Sequence, residues 1–198
     1  MENRKDGACA RYLKYKSKHR KAPTCLFING NSGLNLRNGS GIIDAKGKQL
    51  MSAVIGKGSK DKGVLGKVAY DNYGIGSEGF DVVSNMFSTH YFFEDVEILN
   101  EYLKNVSENC KINGYFIGTC YDGNKVFNML KNKEFGESEY IIENNEKVWE
   151  IKKMYSNSSF PSDMNGVGLR VDVYQESINK MFPEYLVNFD YFKEVLEL

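Results

Sequence analysis

Phe80-Asp81-Val82-Val83-Ser84-Asn85-Met86-Phe87-Ser88-Thr89-His90-Tyr91-Phe92-Phe93-Glu94-Asp95 is the stretch whose reading decides the fold. Phe80, Val82 and Val83 are apolar, β-favouring residues and read as a strand. Ser84-Asn85 supplies a polar turn. Phe87, His90, Tyr91, Phe92 and Phe93 then crowd ring-bearing side chains into one short loop. Glu94-Asp95 opens a helix, because acidic residues favour the first helical turn. A strand that runs into a polar, ring-rich loop before a helix is where α/β folds place ligands.

Downstream, Val96, Leu99, Leu103, Val106 and Cys110 recur at spacings of three and four, which predicts an amphipathic helix over Glu94–Cys110. Gly114 sits where a helix-ending glycine belongs. Tyr115–Thr119 reads as the next strand, Cys120–Asn124 as its end loop and Lys125–Leu130 as a helix. Tyr140–Ile142 and Lys147–Ile151 alternate like antiparallel strands around the turn residues Asn144-Asn145. Ser156–Gly168 is a loop, Leu169–Tyr174 a strand, and a helix follows Pro183–Phe189 to Leu198.

Upstream, residues 3–21 predict a basic helix that ends before Pro23. Its lysines read as a solvated face, with phosphate attraction as the alternative. Thr24–Ile28 reads as a short buried strand, followed by a turn at Asn29–Gly33. Twelve of the 19 glycines lie between Gly30 and Gly79. Ala45–Lys67 is dense in Lys and Gly and reads as a long mobile excursion with a weak helical patch near Gln49–Ile55. Two motifs here fail on context. The Lys/Gly segment Gly56–Gly63 misses the phosphate-loop spacing, since Val64 stands where the lysine belongs, and the G-x-G-x-x-G of Gly74–Gly79 precedes a strand instead of following one. The expected fold is an α/β sandwich with a mainly parallel core and an antiparallel extension, as one domain over residues 1–198.

Composition narrows the function. Lys+Arg and Asp+Glu are 26 each, so bulk charge gives no argument for nucleic acid and any such binding needs a local patch. Four cysteines without a C-x-x-C pair, and only two histidines, argue against zinc and suit a reducing compartment. No apolar run approaches the ~20 residues of a membrane span, and the charged N-terminus is not a signal peptide. A soluble, intracellular protein is expected. No Ser/His/Asp or Cys/His constellation stands out for nucleophilic catalysis.

Three blocks in order, Phe80–Tyr91, Asn113–Thr119 and Pro183-Glu184-Tyr185-Leu186-Val187, resemble the mRNA cap guanine-N7 methyltransferases. The likeness extends in particular to the methyltransferase domain of giant-virus, mimivirus-like capping enzymes. It implies a Rossmann-like S-adenosylmethionine-dependent methyltransferase domain acting on capped RNA, without a metal. It implies that His90 and Tyr91 meet the cap guanine, with Tyr91 also near the methyl donor. Glu184 would grip the guanine edge and Arg11 would be a cap-side cation. Tyr121 holds the loop position where cellular relatives carry a proline beside the cap. Asn31, next to Ser32, falls where relatives have an aspartate near the donor's adenine. Met86, next to Phe87, falls where a glutamine touching the donor is common. The family's glycine-rich donor loop is not found, so a missing N-terminal segment, or other capping-enzyme domains, is an expected partner. A viral source would place the protein in host cytoplasm or virion.

The chemistry suits such residues. Guanine N7 carries a free lone pair, so methyl transfer needs no general base and rests on positioning and electrostatics. A carboxylate can accept the N1 and N2 protons and leave N7 open. Taken singly, His90 reads as a partly buried histidine with a backbone partner, Glu184 as a surface charge, and Phe87, Phe92 and Phe93 as packing. Two other readings of the chain are a non-catalytic cap- or RNA-binding module and a degenerate partner subunit.

Overall fold

The computed structural model describes residues 7–197. Residues 3–6 of the expected N-terminal helix, and Leu198, lie outside the described residues. Helix α1 spans Ala8–Lys18, α2 Ala45–Val54 and α3 Lys62–Asp71. Strand β1 is Phe80–Met86 and runs into a 3-10 turn at Thr89–Phe93. Then come α4 (Val96–Asn109), β2 (Cys110–Thr119) and α5 (Gly123–Met129). Strands β3 (Ser138–Glu143), β4 (Glu146–Lys153), β5 (Arg170–Gln175) and β6 (Lys180–Tyr185) follow, and α6 (Phe189–Leu196) closes the chain.

The opening stretch forms the expected strand, but Ser84-Asn85 is not its turn: both residues lie within β1 and pair with Ile117 and Gly118 of β2. β1 pairs in parallel with β2, with Val82 opposite Tyr115 and Met86 opposite Thr119. Asp95 caps α4, its side chain accepting from the Ile98 N–H at 2.8 Å. Leu99, Tyr102 and Val106 of α4 pack with Phe93, Val187 and Phe192 into one core. This covers the β1–β2 face that carries Phe116. Among the described residues the opposite face is bare: Val82, Tyr115 and Ile117 are all exposed. Parallel strands are ordinarily covered on both faces.

The second sheet is antiparallel, in the order β3-β4-β5-β6. Its inner face carries Ile151, Val171 and Val173, which pack with Phe127, Leu130 and Leu186. Consecutive residues after β6 therefore serve two cores: Leu186 enters this one and Val187 the other. Gly123 locks that junction. Its N–H donates to the Val187 carbonyl at 3.1 Å, and a Cβ there would stand 2.3 Å from the same oxygen.

Four more expectations change. The parallel part has only two strands, and the antiparallel sheet, with four, is the larger. Thr24–Ile28 joins no ladder; Leu26 instead packs against Ala53, Leu65 and Ala69 of α2 and α3. A short apolar run satisfied by helices is indistinguishable from a buried strand by pattern alone. The Lys/Gly excursion is two capped helices rather than a mobile loop. Asp44 accepts from the Gly47 N–H at 2.7 Å and Asp61 from the Gly63 N–H at 2.7 Å. Gly114 ends no helix: Cys110 opposes Phe80 and Tyr115 opposes Val82, so residues 111–114 bulge from β2.

Candidate functional site

The 3-10 turn after β1 is anchored at both ends. Thr89 and Phe93 are buried at 2% and 0% exposure, and His90 follows Thr89 inward. Tyr91 turns outward and is exposed. Glu184 comes from β6, where it stands opposite Val171 on the sheet's inner face. Pro183 beside it is tolerated because β6 is an edge strand. Tyr121 comes from the loop between β2 and α5. Three segments distant in sequence thus meet at one place.

His90 Nε2 stands 3.7 Å from Glu184 Oε1, too far for a hydrogen bond. The His90 ring lies 4.2 Å from that of Tyr91 and 6.1 Å from that of Tyr121. Both His90 nitrogens and Glu184 Oε2 are buried without a hydrogen-bond partner among the described residues. Such groups are few in native proteins, and each costs about 1–3 kcal/mol when left unmade. Three on one facing pair mark a place built to receive a polar ligand.

Burial sets the charge state of this pair. It pushes the His90 imidazole down to about 4 and the Glu184 carboxyl up to about 7. At neutral pH His90 is uncharged and Glu184 is poised between its two forms. The Tyr91 and Tyr121 phenols are raised, first by burial and then by the nearby Glu184. Burial also pushes the Cys120 thiol up to about 11, which keeps it out of thiolate chemistry. The arrangement has a carboxyl, a neutral imidazole and two phenol rings. It suits recognition of a flat, hydrogen-bonding ring and offers no nucleophile.

Gln175, at the end of β5, was not foreseen. Its Nε2 donates to the Tyr121 hydroxyl at 3.0 Å. Strand alternation places Gln175 on the inner face with Val173, but nothing local could show it reaching across 54 positions.

The other expected site residues are dispersed. Ser32 and Met86 line a cleft of about 420 Å³ along the unpaired edge of β1, together with Asn85, Ser88 and Phe92. Asn31 Oδ1 is used locally, accepting from the Gly33 N–H at 2.9 Å. Phe87 is 69% exposed and holds a φ of 53°, with its N–H donating to the Thr119 carbonyl at 2.8 Å. Arg11 lies exposed on α1, and no described contact joins it to His90, Tyr91, Tyr121 or Glu184. The cleft lining holds hydroxyls, three amides and a thioether among apolar walls, and no Asp, Glu, Lys or Arg. It fits an uncharged portion of S-adenosylmethionine; the donor's zwitterionic tail has no ionic partner there. Among the described residues no group of three or more His, Cys, Asp or Glu could hold a metal ion. No described helix is long and apolar enough to cross a membrane.

The family profile of the mRNA (guanine-N(7))-methyltransferase domain matches residues 59–197. The chain is 29% identical over 192 residues to a probable mRNA-capping enzyme of Acanthamoeba polyphaga mimivirus, covering 91% of this chain and 15% of that protein. It is 29% identical over 132 residues to an mRNA cap guanine-N(7) methyltransferase of Aspergillus niger, covering 62% and 19%. The corresponding protein of Schizosaccharomyces pombe is 30% identical over 118 residues, covering 60% and 31%. The chain thus spans less than a third of the length of each of these relatives.

Proposed function

The chain belongs to the mRNA (guanine-N(7))-methyltransferase family, and from that premise we propose that it carries the guanine pocket for methyl transfer to N7 of the RNA cap. The observation that carries this reading is the facing, unpartnered pair His90 and Glu184 between two phenol rings. In its ionised form Glu184 accepts the guanine N1 and N2 protons. Neutral His90 donates one ring N–H to O6. The Tyr91 and Tyr121 faces flank the base, and N7 is left open.

The family uses S-adenosylmethionine, which supplies an electrophilic methyl group when bound. N7 needs no deprotonation, so the chain's residues act by holding the base and by favouring the cationic ring that develops. The Glu184 carboxylate and the two ring faces both do so. Met86, Phe87 and Tyr91 sit at the C-terminal end of β1, where parallel strands present ligands. The bare β1–β2 face and the lack of charged groups in the cleft support a further reading: polypeptide outside residues 7–197 completes the donor pocket.

The test is cap methylation by the full-length protein. Glu184→Ala and Tyr91→Ala should each lower turnover at least ~100-fold with an unchanged far-ultraviolet dichroism spectrum. Near-normal turnover in both would refute the site. The uncharged cleft favours one second reading, a cap-binding module without transfer activity. Cap-analogue binding by the full-length protein, with no S-adenosylmethionine binding in calorimetry, would select it.

A further inference from the structure

The zero net charge conceals a division along the chain. Gly7 to Gly79 holds 13 Lys and Arg against 4 Asp and Glu; Phe80 to Leu198 holds 11 against 20. Ion pairing divides the same way. Seven of the 11 cations in the second part lie within 4 Å of a carboxylate, as Lys111 does to Asp81 and Arg170 to Asp172. Among the described residues, none of the 13 in the first part does. Twelve of these 13 are exposed. The exception, Arg37, donates to the carbonyls of Gly76, Ser77 and Glu108 and serves the fold.

The exposed cations share one body. The Tyr12 ring on α1 packs 5.6 Å from that of Phe27, and Leu26 enters the core between α2 and α3. This body borders the cleft, which Ser32 and Leu36 line. Folding has little use for so much like charge: α1 buries no residue, and uncompensated cations on a helix repel. Aromatic rings are interleaved with them. Lys60 Nζ lies 5.2 Å from the Tyr70 ring centre and 5.5 Å from that of Tyr73, and Lys62 Nζ 5.9 Å from Tyr70. Exposed cations mixed with rings suit a chain of phosphates and bases better than a purely anionic peptide. The acidic second part turns the same polyanion away from the rest of the surface.

We propose that residues 7–79 hold the phosphate backbone of single-stranded RNA behind its cap, with Lys57, Lys60, Lys62 and Lys67 around Tyr70 and Tyr73 as the centre. The assignment rests on capped RNA being the substrate. It is tested on the intact chain with an uncapped oligoribonucleotide of about 20 residues, titrated at several salt concentrations. Each single-strand phosphate contact contributes about −0.7 to the slope of log K against log salt. Replacing the four lysines by glutamine should flatten the slope by about 2–3 and weaken low-salt binding at least ~10-fold. The melting curve, and binding of a GpppG cap dinucleotide, should stay unchanged. The proposal is overturned if the native chain does not bind uncapped RNA, or if the variant keeps the native slope. It is overturned in favour of an acidic protein partner if polyglutamate competes as well as RNA at equal charge. Loss of cap-dinucleotide binding by the native chain, with the RNA slope as expected, would sink the cap pocket and leave this surface standing.

Discussion

At the scale of single residues, the His90–Glu184 pair makes stability depend on pH in a defined way. Glu184 rises from 4.5 to about 7 on folding, so the folded state retains a proton and stability falls as pH rises from 4.5 to about 7. His90 drops from 6.5 to about 4, so stability falls as pH drops from 6.5 to about 4. Between 4.5 and 6.5 the two slopes oppose each other and cancel. Glu184→Gln mimics the protonated carboxyl. It should match the native protein below pH 4.5 and exceed it by about 3 kcal/mol at pH 8, measured by denaturant unfolding. Equal stability at pH 8 would show that the carboxyl is not desolvated. The same substitution should abolish the rise in cap-analogue affinity expected across pH 6–8, since Glu184 must ionise to accept two guanine protons. Phe87 adds a second residue-level expectation. A phenylalanine held at a φ of 53° and 69% exposed is strained without a packing return. Phe87→Asn, which tolerates that backbone, should leave stability unchanged or raise it by up to ~1 kcal/mol while lowering cap methylation. Unchanged methylation would remove Phe87 from the site.

At the scale of elements, Asn105 on α4 ties the Asn31–Leu36 turn to the β1 cleft. It accepts from the Leu36 N–H at 2.8 Å and donates to the Ser32 and Leu34 carbonyls at 2.9 and 2.7 Å. Asn105 is 6% exposed, so these backbone groups have no easy replacement partner. Asn105→Ala should cost about 2–3 kcal/mol and speed amide hydrogen exchange selectively at Leu36. Native exchange there would mean that the turn holds itself. The helix starts follow the same local logic: Asp44, Asp61, Asp95 and Asn188 each cap a helix through a side-chain oxygen. The caps set where α2 and α3 begin, while Gly66, at a φ of 73°, kinks α3.

At the scale of the molecule, Gly123 couples the two cores to the site. The loop bearing Tyr121 and the exit of β6 behind Glu184 touch through it, with no room for a Cβ. Gly123→Ala must push Val187 away from both its core and the loop. Destabilisation of at least ~2 kcal/mol is expected, with cap-analogue affinity reduced even in the folded fraction. A stable variant with native affinity would show that the two sheets place Tyr121 and Glu184 independently.

Helix α4, the β3–β4 turn and the strand opening at Phe80 were legible in the sequence because they rest on local periodicity and turn chemistry. Three blocks in order, through the family likeness, singled out His90, Tyr91 and Glu184, and the structure brings these side chains together. Only the tertiary structure decided the rest. Thr24–Ile28 became a packed segment instead of a strand, because helices α2 and α3 cover it and no neighbouring strand pairs with it. Gln175 joined the site because sheet register, which no window of sequence contains, sets it against Tyr121. Glu184 reads alone as a solvated surface charge. Burial beside His90 turns it into a carboxyl poised near neutral pH, because the free energy of its charge depends on water removed by residues distant in the chain.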